Sequence, residues 1–530
     1  MGKGLDVGAL RGAGLGYDSG VRTRRWLSML WIVIFAGSSV AADDKFFKVF
    51  ERGGDMRTLT AEFADVNGDG RTDLLQVVSA GIPPNQVRSV RVYLQTDTGG
   101  LPTEPSHEIP LSVESAVYDI ADVGPDPGHE LLLLRPDEVA VLSLAGTGGT
   151  RSVISLNGLP SVAAEADERG LDRLRMVYRR KGKTPWIRVP TFKGLLVLDN
   201  NRQKIGLLDT AGRANFYVPQ EPGLGFVESD IQMYYDAPHI STGDIDGDGR
   251  EDMLAATRHE IRTFLQKPDG SFARKPTQKL PLGLITPEDH IRGSGGIVVE
   301  GEDLNDDSQM DLLITKISGG LSNSRTETRI YLNREGSWDL QKPDQMYAAD
   351  STVGLDRLVD LDSDGRPELV REQLRFSVFE FVEALLTRSL DTTFYIHAPA
   401  GKGVFSAEPV QEVAVEIPLS FDTFRPSGFI ASLDLDLNGD GYRDLLLSQE
   451  GDGIDVYLGR PGFGYGRRDA RQAMDSRGQV KLGDWNSDGL PDLLLFDPQN
   501  PESTLRLVVN QGTLAPTEKK PRRIRPGQHF

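Results

Sequence analysis

Six short stretches of the chain place carboxylates at alternating positions around what must be a tight turn. They are "DVNGDGRTD" from Asp65, "DIDGDGRED" from Asp244, "DLNDDSQMD" from Asp303, "DLDSDGRPE" from Asp360, "DLNGDGYRD" from Asp436 and "DWNSDGLPD" from Asp484. Position 1 is Asp65, Asp244, Asp303, Asp360, Asp436 or Asp484, and position 3 is Asn67, Asp246, Asn305, Asp362, Asn438 or Asn486. Position 5 is Asp69, Asp248, Asp307, Asp364, Asp440 or Asp488. Position 7 is Arg71, Arg250, Gln309, Arg366, Tyr442 or Leu490, and position 9 is Asp73, Asp252, Asp311, Glu368, Asp444 or Asp492. Oxygen donors at alternating positions of a turn suit a hard cation, and calcium takes six to eight of them at roughly 2.3–2.6 Å. These thirty residues form the expected metal sites, about six calcium ions in all.

Glycine stands at position 6 in five of the six loops, where a sharp turn calls for positive φ; Ser308 stands there in the Asp303 loop, which is expected to be strained. An EF-hand would need a bidentate Glu at position 12 and a helix on each side. Position 12 is instead Gln76, Ala255, Ile314, Arg371, Leu447 or Leu495. Each loop runs into a short apolar stretch, such as "LLQVV" after Asp73 or "LLLF" after Asp492, that reads as a buried strand. A second strand follows, as in "VRVYLQTDTGG", "IRTFLQKPDG", "TRIYLNREG", "IDVYLGRPG" and "LRLVVNQG".

Two degenerate copies complete the series. "DVGPDPGHE" from Asp122 has Gly124 at position 3 and Pro127 at position 6, so weak ion binding at best is expected there. "VYRRKGKTP" from Val177 has Arg179 and Lys181 where acids belong, which excludes a cation. Loop starts at 65, 122, 177, 244, 303, 360, 436 and 484 are spaced by 57, 55, 67, 59, 57, 76 and 48 residues. A period near 60 made of strands alone marks a radial array, and about four strands per unit describes a propeller blade.

The loops and the strand order resemble FG-GAP/VCBS repeats, the calcium-loop blades of the integrin α-subunit propeller and of many secreted bacterial proteins. The resemblance spans roughly residues 45–512 and implies an all-β fold: a β-propeller of seven or eight four-stranded blades with calcium-binding loops. One short helical insertion is expected in "SVFEFVEALLTRS" from Ser377, and the strand near "KFFKVF", Lys45 to Phe50, is expected to pair with the last blade. Propellers of this kind serve as adhesion modules, lectins and accessory domains of carbohydrate enzymes. The resemblance therefore implies a protein or polysaccharide ligand, with a calcium-assisted polysaccharide lyase as the alternative.

The amino-terminal pattern leads to the expectation of export. Arg22, Arg24 and Arg25 precede the apolar "WLSMLWIVIFAG" and the small-residue "SSVAADDK", the pattern of a signal peptide cleaved after Ala41 or Ala42. The expected organisation is a leader and signal at 1–42, a propeller at 43–512 and a basic tail at 513–530, with secreted, periplasmic or cell-surface location and no transmembrane anchor after cleavage. The chain has no cysteine, so in an exported protein bound ions are the available staples. Its net charge is −19, and losing residues 1–42, which carry a net +3, takes it to −22; six divalent ions would bring that to −10. So acidic a chain is not expected to bind nucleic acid.

No catalytic constellation is visible. The seven histidines, at 107, 129, 239, 259, 290, 397 and 529, do not cluster, there is no G-x-S-x-G elbow, and the glycine-rich "GRPGFGYG" from Gly459 reads as a turn between strands. Only Trp186, Trp338 and Trp485 remain beyond residue 42 as platforms for sugar rings. The aromatic loop "EPGLGFVESDIQMYYDAPH" from Glu221 offers Tyr234, Tyr235 and His239 as ligand-facing candidates.

Overall fold

A computed structural model describes residues 46–515, apart from 82–84, 97–98, 113–114, 147–150, 164–170, 181, 218–231, 288, 290–294, 320–323, 351, 376–388, 421–424, 427–431, 450–452 and 501–503. The signal segment, the helical insertion and most of the basic tail lie outside the described residues.

Among the described residues, eight sheets of four or five strands, beside three two-stranded hairpins, make up the ring, and they settle the blade number at eight. Blade 1 is Arg57–Ala64, Asp73–Ala80, Val87–Tyr93 and His107–Leu111, hydrogen-bonded in that order. Blades 4 and 5 repeat it at His239–Gly243 to Gln278–Pro281 and Gly296–Glu302 to Gln345–Asp350. In blade 2 a fifth strand, Asp172–Arg173, adds in parallel beside Val117–Ala121. The apolar run after each acidic loop is the second strand: Asp73–Ala80, Asp252–Ala256 and Asp492–Phe496 are almost wholly buried. Such runs are apolar on both faces because each face meets a neighbouring blade.

The core is correspondingly divided. Eight apolar clusters lie one at each seam between blades, from Leu59, Val90 and Leu131 between blades 1 and 2 to Tyr93, Trp485 and Leu507 between blades 8 and 1. That last cluster closes the ring.

Blade 8 supplies only three strands from the chain's end: Gln479–Gly483, Asp492–Phe496 and Leu505–Asn510. Its fourth is Phe47–Arg52, antiparallel to Leu505–Asn510 with Phe47 opposite Asn510 and Arg52 opposite Leu505. The pairing expected of "KFFKVF" is present, and Phe47 is fully buried among Leu446, Ile454 and Val508.

The Val177 segment departs from the reading as a loop. Val177–Arg180 is itself the inner strand of blade 3, paired with Lys183–Thr191, and the chain reverses around Gly182 at φ 66°. With cationic residues in place of acids there is no oxygen cage to build, and a tight hairpin replaces it. The "GRPGFGYG" segment is a hairpin too, with Gly459 opposite Tyr465 and Arg460 opposite Gly464.

Candidate metal centres

Each acidic loop joins the first and second strands of its blade and runs from exposed to buried. The position-5 aspartates are exposed in all six loops, those at position 1 half-buried, and the position-9 acids at most 1% exposed. Position 1 organises the turn. Its Oδ2 accepts the position-6 amide in every loop, from Gly70 to Asp65 at 2.9 Å, Gly249 to Asp244 at 2.7 Å, and Ser308 to Asp303 at 2.8 Å. Gly365, Gly441 and Gly489 do the same at 3.2, 2.9 and 2.9 Å. The position-5 carboxylate accepts the position-7 amide, as in Asp440 from Tyr442 at 3.0 Å and Asp488 from Leu490 at 2.8 Å.

Positions 4 and 6 are both left-handed. Glycines 70, 249, 365, 441 and 489 have φ between 79° and 89°, and Ser308 is held at 67°. Position 4 is Gly68, Gly247, Asp306, Ser363, Gly439 or Ser487, all at φ between 56° and 79°. The Asp303 loop has no glycine at either place and is the most strained of the six. An L-residue in this region costs roughly 1–2 kcal/mol.

Position 9 has a task the spacing alone does not reveal. The residue opens the second strand, and its carboxylate receives one backbone amide in all six loops and a second from the third strand in five of them. One is the N–H of position 2: Val66 to Asp73 at 3.0 Å, Ile245 to Asp252 at 2.9 Å, Leu304 to Asp311 at 3.0 Å, Leu361 to Glu368 at 2.8 Å, Leu437 to Asp444 at 2.6 Å and Trp485 to Asp492 at 2.7 Å. The other comes from the end of the third strand or two residues past it: Gln95, Gln266, Asn333, Gly459 and Asn510 donate to Asp73, Asp252, Asp311, Asp444 and Asp492 at 2.9, 2.8, 2.6, 2.7 and 2.7 Å. Burial pushes these carboxyls up despite the amides, Asp252, Asp311 and Asp492 to about 6 and Glu368 and Asp444 to about 7. Where the acids thin out, this staple persists. In the Asp122 loop Glu130 is 4% exposed and accepts Val123 and Gly124 N–H at 2.8 and 3.1 Å.

The donor chemistry fits a hard cation. Carboxylate oxygens of Asp244, Asp246 and Asp248 lie within 4.8 Å of one another, as do those of Asp360, Asp362 and Glu368. The other four loops carry an Asn amide oxygen at position 3. In four loops position 7 has only its main-chain carbonyl to offer, because its side chain is Arg in three and Leu490 in the fourth. All three of those arginines grip the position-5 carboxylate: Arg71 on Asp69 at 2.7 Å, Arg366 on Asp364 at 2.9 Å, and Arg250 on Asp248. The Arg71 hydrogen bond holds the Asp69 carboxyl down at about 2.

The opposite face carries the other feature of interest, a cavity of about 370 Å3 between blades 4 and 5, lined by Asp236, His239, Arg258, Ile297 and Val299. His239 thus lines a cavity, and burial lowers its pKa. Tyr235 turns the other way, edge-on to Phe192 with ring centroids 5.6 Å apart, while the Tyr234 side chain lies outside the described residues. The three tryptophans among the described residues are buried: Trp186 against Phe272, Trp338 donating to Met310 O at 3.0 Å, and Trp485 donating to Gly99 O at 3.1 Å. None offers a platform for a sugar ring.

The FG-GAP-like repeat family model matches residues 244–314 and 436–517, which contain the loops at Asp244, Asp303, Asp436 and Asp484. A comparison with curated proteins finds none that matches. Among solved structures, the chain is similar to an Agrocybe aegerita lectin described as recognising non-reducing terminal N-acetylglucosamine, at 14% identity over 86% of each chain with a TM-score of 0.35. It is similar to the exotype rhamnogalacturonan lyase YesX at 12% identity, over 88% of this chain and 76% of that one, TM-score 0.35. A third is the V. cholerae biofilm matrix protein Bap1, at 13% identity over 87% and 81%, TM-score 0.26. The chain is an eight-bladed propeller carrying FG-GAP-like repeats.

Proposed function

We propose that this propeller of FG-GAP-like repeats is an exported, calcium-stabilised binding module that presents a protein or polysaccharide ligand site on a rigid ring. The observation that carries the reading is the repetition of one oxygen-rich turn in six blades, always between the first two strands and always anchored by a buried acid. Positions 1, 3, 5 and 9 and the position-7 carbonyl hold the ion. Bound calcium supplies charge neutralisation to a chain of net charge −19 and cross-links each turn to its second strand.

Export rests on the signal-like segment at 1–42, and among the described residues no helix is long and apolar enough to cross a membrane. Ligand contact is assigned to the face away from the loops, where His239, Asp236 and Arg258 converge on the cavity. Loop carboxylates held by calcium are poor acid–base groups, so the ion is structural.

A glycan array and a pulldown from the native envelope, run beside a lyase assay for unsaturated products, test this reading. The expected result is ligand capture that His239→Ala weakens about tenfold, the scale of one lost polar contact, with no unsaturated product. Chain cleavage of a uronate polysaccharide would replace the binding module by the lyase.

A further inference from the structure

The position-2 peptide of each loop has two sides. Its N–H is held by the position-9 acid of its own blade. Its carbonyl, in three loops, is held by the next blade around the ring: Asn510 Nδ2 donates to Leu437 O at 2.6 Å, Asn333 Nδ2 to Ile245 O at 2.8 Å, and Gln95 Nε2 to Trp485 O. These are the same residues whose backbone N–H binds the position-9 acid of their own blade. Each side-chain amide therefore ties one loop to the next. All three are buried, at 1, 6 and 8% exposure for Asn510, Asn333 and Gln95.

The pattern follows the acidic loops. Gln266 occupies the equivalent place in blade 4, but the preceding blade 3 has no such loop, and its amide turns inward to Gly270 O at 3.2 Å. In blade 7 the equivalent residue is Gly459, which has no side chain; there Arg443 reaches back, its N–H to Leu361 O at 2.8 Å and its guanidinium to Asp360 O at 3.2 Å.

Across the ring closure the links join into one relay. Asp444 accepts Leu437 N–H, and Leu437 O accepts Asn510 Nδ2. Asn510 N–H meets Asp492, which also accepts Trp485 N–H. Trp485 O accepts Gln95, whose N–H meets Asp73. Buried chains of this kind are rigid and polarise along their length. An ion that fixes one position-9 carboxylate fixes the peptide whose carbonyl orients the next.

We propose that the Asp436, Asp484 and Asp65 loops take up their ions cooperatively, with Asn510 and Gln95 as positioning residues that ligate no ion and carry the coupling. The inference rests on the calcium reading above, and its test separates the two.

Terbium(III) is titrated into the full chain as the calcium substitute, and emission sensitised by Trp485, buried at position 2 of its loop, reports the Asp484 site. The Trp485→Phe isotherm is subtracted to isolate that signal. Asp440→Ala, in the neighbouring Asp436 loop, is expected to weaken terbium binding at the Asp484 site about tenfold, within the usual range for coupled sites. In an Asn510→Ala background the same substitution is expected to change nothing further. An Asp484-site isotherm indifferent to Asp440→Ala overturns the coupling, and coupling that survives Asn510→Ala overturns the relay. Absence of sensitised emission from the unmutated chain overturns the ion reading itself. Should Asn510→Ala fail to fold, the Gln95→Ala cycle with Asp69→Ala in the Asp65 loop decides the matter, read through the same Trp485 emission, since Gln95 Nε2 donates to Trp485 O.

Discussion

Replacing Asp444 by Ala is expected to destabilise the propeller by about 2–6 kcal/mol in chelator as well as in calcium, because two buried amides lose their acceptor at about 1–3 kcal/mol each. Those amides are Leu437 N–H and Gly459 N–H, and Asp444 is fully buried between them. Relief of the desolvation that pushes its carboxyl up to about 7 offsets part of the loss. Asp440→Ala removes an exposed carboxylate of the same loop and is expected to cost about 1–3 kcal/mol in saturating calcium. In chelator that cost should largely vanish. Denaturant unfolding of both variants with and without chelator separates the two roles. Equal, calcium-dependent losses would mean that position 9 is only an ion ligand.

Deleting residues 45–50 should have a comparably large effect. The deletion removes most of the outer strand of blade 8, exposing the edge of Leu505–Asn510, and withdraws Phe47 from the seam with blade 7. Phe47→Ala alone is expected to cost about 3–5 kcal/mol, the usual loss for a buried aromatic, and the deletion more. An open edge of that length also invites pairing between chains, so the truncated protein should aggregate on heating. A calorimetric Tm equal to that of the full chain would contradict closure by this strand.

The blade repeat was legible because its most constrained element, a turn that needs oxygen ligands and positive φ, uses few residue types. The second strands were legible for a similar reason, since burial on both faces demands an unbroken apolar run. Ring closure followed from the unpaired edge an incomplete blade would leave. Blade 3 was harder: without acids its turn shrinks to a hairpin around Gly182, and aligning "VYRRKGKTP" on the loop mistook an inner strand for a turn. The double duty of position 9 was hidden, because an aspartate that binds calcium and one that accepts amides are the same letter. A signal did exist. An amide residue, Gln95, Gln266, Asn333 or Asn510, stands at or two residues past the end of the third strand in four blades, and a recurring amide after an apolar strand marks a buried hydrogen-bonding task. Position 4 gave less, since glycine stands there in only three of six loops.

Whether these loops are calcium sites is the claim on which the rest depends. Metal analysis of the extensively dialysed protein tests it most directly, paired with the Tm before and after chelation. Close to six calcium ions per chain, and a Tm that falls on chelation and recovers when calcium is restored, is the predicted result. Two or fewer ions per chain, with a Tm indifferent to chelator, would contradict it.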